Sequence, residues 1–194
     1  MFYLAGKKGS RSRTKLTAAI NMKILNKKIT FHPYFSEYLR SFKTYPWSRK
    51  IKKIVMHHTS SPVPSWQGSG SMLHYWNLYR SRGWKSGPHI FIAPDGIWLF
   101  TPINKRGTTS SPFLDKDSIH IEVVGRYFYK EPDNENICTF TNWVIQDLIE
   151  RFNLCLNDIV MHADYEGGEN CSRYVGKEWI SKIRNYNKVI LHNV

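Results

Sequence analysis

Short runs of consecutive apolar residues alternate along this chain with longer stretches in which apolar positions recur every three or four residues. Ile54-Val55-Met56 is uninterrupted, as expected of a strand covered on both faces, and the core opens just before it at Lys53. A Ser/Pro/Gly-rich loop follows over residues 60–70. Residues 71–82 carry Met72, Tyr75, Trp76 and Tyr79 at helical spacing, which predicts a helix ended by Gly83. Residues 89–93 and 97–101 read as two strands joined by Pro94-Asp95-Gly96, a hairpin signal. Residues 119–124 read as a further strand, 140–152 as a second helix capped by Thr139 or Thr141, 159–161 as a strand, and 177–186 as a closing helix. This order predicts one α/β domain with a central mixed sheet flanked by helices.

Charge divides the chain differently. Residues 1–50 hold 12 Lys/Arg against one acid, Glu37, so that only +2 of the net +13 belongs to residues 51–194. The first segment reads as a basic arm. Its residues 1–21 have little periodicity and suit an unordered or non-native leader, with Met22 as an alternative start. Residues 31–50 are rich in aromatics, and a short helix over 36–42 is expected to brace the domain. A basic arm favours polyanions such as nucleic acid, anionic lipid or the anionic polymers of a bacterial envelope. The near-neutral remainder, without CxxC spacing or an RNA-binding motif, excludes a specific nucleic-acid reader. No apolar run approaches the ~20 residues that span a membrane. No apolar segment with a cleavage site follows the basic start, so synthesis in the cytoplasm without a signal peptide is expected. A monomer is expected.

Seven Trp, 11 Tyr and 10 Phe supply core, and aromatic surfaces of this kind also line grooves that hold sugars and peptides. Three cysteines cannot all pair, and they show no disulfide framework. Cys138 and Cys155 read as buried thiols, whereas Cys171 follows a polar, Gly-rich turn. His57 follows one apolar strand, His162 follows another, and Cys171 comes nine residues after His162. Adjacent strands present their ends on one sheet edge, so the two imidazoles and the thiol can converge. Two His and one Cys are good zinc ligands, and three protein ligands leave a fourth position for water, the pattern of a catalytic site. His32, His74 and His192 read as ordinary histidines. Glu122 is a carboxylate in an otherwise apolar strand. It is either an outward-facing residue or a functional one.

Four segments, in order, carry a resemblance. They are Ile54-Val55-Met56-His57-His58-Thr59, the hairpin from Gly87 to Gly96, Asp117 to Gly125, and Ile159 to Cys171. Together they resemble the zinc-dependent N-acetylmuramoyl-L-alanine amidases, whose fold is shared by T7 lysozyme-type endolysins and peptidoglycan recognition proteins. The likeness covers about residues 51–183. It implies an amidase-like domain over 51–194 that binds bacterial peptidoglycan, with His57, His162 and Cys171 holding Zn²⁺. Alternation along the strand sends His58 to the opposite face. The resemblance further implies that Glu122 is the general base for the attacking water. The reaction implied is cleavage of the amide between N-acetylmuramic acid and L-alanine by a phage or prophage lytic enzyme, with the basic arm adding affinity for the envelope. Two positions depart from the pattern. Glu169 stands where many members have Lys, and Pro88 where many have Tyr. Lys85, Lys105 and Arg173 are candidate replacements for the missing cation. Glu169 favours the alternative, a recognition module of the same fold that holds peptidoglycan without cutting it.

Overall fold

The computed structural model describes residues 29–31, 50–103, 105–109, 112–127, 132–165, 171, 181–182 and 185. The early segment 1–28, the expected brace over 36–42 and the turn holding Glu169 lie outside the described residues. Of the expected closing helix, Ser181, Lys182 and Asn185 are described, and they are helical.

Six strands form one mixed sheet: β1 (Ile29–Phe31), β2 (Lys53–His58), β3 (Ile90–Ala93), β4 (Gly96–Leu99), β5 (Ser118–Val123) and β6 (Ile159–Met161). Their spatial order is β1-β4-β3-β5-β2-β6. Only the β3–β4 hairpin is antiparallel; β3, β5, β2 and β6 run parallel to one another. Among the described residues, α1 (Ser69–Ser81) and α2 (Glu135–Phe152) cover the sheet. Among the described residues no helix is long and apolar enough to cross a membrane.

Alternation along the strands separates two cores. Ile54 and Met56 of β2, Ile119 and Ile121 of β5, and Ile159 and Met161 of β6 face α2, meeting its Ile137, Val144, Ile145 and Leu148. The opposite face meets α1, where Met72, Tyr75, Trp76 and Tyr79 pack on Phe91, Ala93, Trp98 and Phe100. Fully buried aliphatic side chains of this size each contribute roughly 1.5–3 kcal/mol. The α1 face is aromatic, and on β2 and β5 it carries His57, Ser118, His120 and Glu122 beside Val55.

The end of α1 is built by local chemistry. Gly83 takes φ +71°, a conformation open to a residue without Cβ. The Gly83 N–H then reaches the Arg80 carbonyl at 2.9 Å and the Trp84 N–H reaches that of Tyr79 at 3.0 Å, closing a Schellman motif. Arg82 and Trp84 flank this turn. The hairpin turn is held differently. The indoles of Trp66 and Trp98 both donate to Asp95 Oδ1, at 2.8 and 3.0 Å.

Three features differ from the expectations. Helix α2 starts at Glu135, five residues early, because Asn134 rather than Thr139 or Thr141 is its cap: its Oδ1 accepts the Ile137 N–H at 3.1 Å. Thr141 lies inside the helix, buried, and donates to the Ile137 carbonyl at 2.7 Å. Cys155 is exposed, because it starts a 3-10 turn after α2 instead of packing beneath it, while Cys138 is half-buried. Within the segment read as an arm, Ile29–Phe31 adds an edge strand in parallel with Ile97–Leu99. Three residues are too short to show a period.

Replacing Asn134 with Ala should cost about 1 kcal/mol of stability, whereas Thr139→Ala should stay within about 0.5 kcal/mol. Urea unfolding of the two variants checks this, and equal losses would reject Asn134 as the cap.

Candidate metal centre and its cleft

Parallel pairing sets the site. β2 lies between β5 and β6, with Met56 opposite Met161 and His57 opposite Glu122. The carboxyl ends of three strands therefore open on one edge, which is where ligands collect in sheets of this kind. His57 and Glu122 sit at the ends of β2 and β5. His162 is the first residue beyond β6, starting a 3-10 turn over His162–Asp164.

At that edge His57 and His162 are buried and Cys171 is half-buried. Each offers one donor atom, and these atoms lie within 4.8 Å of one another. The His57 and His162 ring centres are 4.5 Å apart, and Cys171 Sγ lies 3.9 Å from His57 Nδ1. Tetrahedral zinc bonds of about 2.0–2.3 Å would put such donors roughly 3.3–3.6 Å apart. The cluster is thus the right chemistry, with its 3.9 Å sulfur–nitrogen separation a few tenths of an ångström beyond that range. Burial pushes the His57 imidazole well below its usual range, helped by the charges of His120, His162 and His58. It is held neutral, the form in which it can bind a metal.

His58 goes the other way. It lies on the α2 face, where its Nδ1 accepts the Tyr127 N–H at 2.8 Å, and its Nε2 is 3.3 Å from Ser60 Oγ.

The donors line an open cleft of about 300 Å³ whose walls include Tyr75, Tyr79, Arg82, Trp84, Pro88 and Glu122. Glu122 is half-buried there. Desolvation pushes its carboxyl up to about 8, and the charge of Arg82 pulls it back down. Among the described residues Arg82 is the cation lining the cleft; Lys85 and Lys105 do not line it, and Arg173 lies outside the described residues. A second hollow of about 330 Å³, lined by Ser61, Trp66, Gln67 and Ser71, shares Tyr75 with the first.

Sequence reasoning singled out His57, His162, Cys171 and Glu122, and the fold brings all four to this cleft. It missed Arg82 and His120. Arg82 gave no signal beyond its place before a helix-ending glycine. His120 gave one: Ser118, His120 and Glu122 recur at period two in an apolar strand, so they share a face. His57 Nε2 lies 3.0 Å from His120 Nδ1.

Comparison with known proteins follows the same lines. The family model described as N-acetylmuramoyl-L-alanine amidase matches residues 47–174. No curated protein matches the chain in sequence. Among solved structures, the N-acetylmuramoyl-L-alanine amidase LysC from Clostridium intestinale is similar at 20% identity and TM-score 0.58, over 81% of this chain and 97% of that one. The Ph2119 endolysin from a Thermus scotoductus bacteriophage is similar at 18% identity and TM-score 0.62, over 81% and 99%. Human PGRP-IBETAC, solved in complex with glycosamyl muramyl pentapeptide, is similar at 18% and 0.62, over 77% and 93%. At these identities the structural likeness speaks for the fold, which is that of amidases and peptidoglycan recognition proteins.

The Glu122 carboxyl makes a pH-dependent contribution with a definite sign. Its folded value lies above the ordinary 4.5, so ionising it in the native state is unfavourable. Metal-free protein should therefore lose stability as pH rises from about 4.5 to about 8. Glu122→Gln should remove that decline. Urea midpoints across this range test it, and an unchanged slope in the variant would refute the assignment.

Proposed function

This chain belongs to the N-acetylmuramoyl-L-alanine amidase family, whose fold serves to cut or recognise peptidoglycan, and from that premise we propose that it is a zinc-dependent hydrolase. Its reaction is cleavage of the amide between N-acetylmuramic acid and L-alanine, as a phage or prophage lytic enzyme acting on the cell wall. The observation that carries this reading is the convergence of His57, His162 and Cys171 beside Glu122 on one sheet edge. Two imidazoles and a sulfur ligand suit zinc, with room left in the cleft for a fourth ligand.

When bound, zinc makes a water more acidic and polarises the scissile carbonyl. The chain's own groups do the rest. Glu122, on the strand beside His57, takes the water's proton and passes it to the departing amine of L-alanine. The products are a lactyl carboxylate and a free amino terminus. Arg82 keeps Glu122 nearer its ionised form and supplies the positive potential that Glu169 does not. Tyr79 and Trp84, stacked at 5.1 Å, make an aromatic wall for the substrate. The second hollow, with its hydroxyls, Gln67 amide and Trp66 ring, suits the glycan. The basic residues of 1–50 add affinity for anionic envelope polymers.

Purified peptidoglycan should release free L-alanine amino termini while its glycan strands stay intact, as read by mass spectrometry. Chelator should stop the release and added zinc restore it. Retained muropeptide without any released stem would identify a recognition module instead. Glu122→Gln should keep zinc and lose about 10²-fold or more in turnover; undiminished turnover would remove Glu122 from the mechanism. Arg82→Ala should lower kcat/KM about tenfold without changing zinc content, and an unchanged kcat/KM would deny it a role.

A further inference from the structure

Behind His57, on the side away from the cleft, lies a buried row of polar groups that the proposed hydrolysis does not use. His57 of β2, His120 of β5 and His89, just before β3, stand side by side, with ring centres 5.2 Å apart for the first pair and 5.9 Å for the second. His120 and His89 are fully buried. Beyond His120 sits Asp115, 3% exposed, in the 3-10 turn Leu114–Lys116 just before β5. We propose that His120, backed by Asp115, is a positioning residue: it holds His57 in the Nε2-protonated tautomer and so aims the bare Nδ1 at the metal position. This rests on the zinc reading of the site.

The proton count carries the argument. His57 Nε2 and His120 Nδ1 are 3.0 Å apart, a distance that is attractive only if one nitrogen of the pair bears a hydrogen. The other nitrogen of His120, Nε2, is buried. Among the described residues no hydrogen-bond partner of ordinary length meets it, and Asp115 Oδ1 lies 3.5 Å away. His120 is fully buried, where an imidazolium would be costly, so its ring carries a single hydrogen. One proton must therefore be placed. On Nδ1, it would leave a lone pair facing a carboxylate oxygen in a dry interior and would force the His57 proton onto the nitrogen that faces Cys171. On Nε2, it points toward Asp115, and His120 Nδ1 then accepts from His57. Only the second arrangement is attractive at both ends.

The described neighbours agree with this arrangement. Asp115 Oδ1 already accepts the Thr109 N–H at 3.0 Å and the Thr109 hydroxyl at 2.7 Å, which fixes it as an acceptor. His89 is committed elsewhere. Its Nε2–H donates to the Lys105 carbonyl at 2.9 Å, and its Nδ1 accepts the His120 backbone N–H at 3.0 Å. It stacks nearly parallel on His120 and holds the ring's plane without sharing its side-chain proton. Outer partners of this kind orient a ligand imidazole, and their loss typically costs 10- to 100-fold in metal affinity.

The test uses the full chain with ¹⁵N-labelled histidine, zinc-loaded and zinc-stripped, together with zinc affinity by competition against a chromophoric chelator. His57 and His120 should both carry hydrogen at Nε2 in the zinc-stripped protein. His120→Leu, which fills similar space without an acceptor, should weaken zinc binding by about 10- to 100-fold. His120→Asn places its Oδ1 near the lost Nδ1 and should recover most of that. A His57 protonated at Nδ1, or a folded His120→Leu that binds zinc as tightly as the parent, overturns the proposal. If His120→Leu does not fold, the parent spectrum and the Asn variant decide it. A parent chain that takes up no zinc defeats the zinc reading, and the tautomer observed in its spectrum still decides the role of His120.

Discussion

Parallel pairing of β2 with both β5 and β6 is the constraint on which the site depends. Three strands that run the same way must end on the same edge. His57 and Glu122 then stand opposite each other by register, and His162 starts one residue beyond the strand that pairs with β2 on its other side. No loop has to travel far to assemble the first three groups. Cys171 alone comes from a loop.

The two faces of the sheet divide the work. The face toward α2 is continuous aliphatic packing and contains little but Ile, Val, Leu and Met. The face toward α1 is aromatic at one end and polar at the other, so β2 and β5 carry His57, His120 and Glu122 into a largely dry setting. Burial costs the charged form of each group, which keeps the imidazoles neutral and the carboxyl reluctant to ionise. Neutral imidazoles bind metal, and a carboxyl with a raised pKa can take and return a proton near neutrality. The desolvation that makes the site unfavourable for stability thus suits the hydrolysis proposed for it. It also fixes where protons lie in the His57–His120–Asp115 row, because a buried nitrogen facing the wrong partner has no water to turn to.

The cation of the cleft shows how position can replace motif. A lysine near the third ligand is common in the family, and this chain has Glu169 there. Arg82 lines the cleft from the end of α1. The Schellman turn at Gly83 stops α1 beside the strand ends and leaves Arg82 and Trp84 flanking the cleft. Nothing in the spacing of Arg82 from His57 announces this, since its distance from Glu122 depends on how a helix sits on a sheet.

Local patterns in the chain determined a good deal. Apolar runs and alternation marked β2, β5 and β6, three- and four-residue spacing marked α1, and Pro-Asp-Gly marked the hairpin, because these follow from backbone periods that each segment carries alone. The residue types His57, His162 and Cys171 made a metal cluster legible, since their chemistry is narrow and each followed a strand. Tertiary structure decided the rest. Which thiol was exposed, that Ile29–Phe31 joined the sheet, and which cation neighboured Glu122 all turn on partners remote in sequence. So does the reading of Ser118, His120 and Glu122: alternation puts them on one face, but only the neighbouring elements set Glu122 in the cleft and His120 against His57. A residue's type states what it can bind or donate, and the three-dimensional arrangement states to whom.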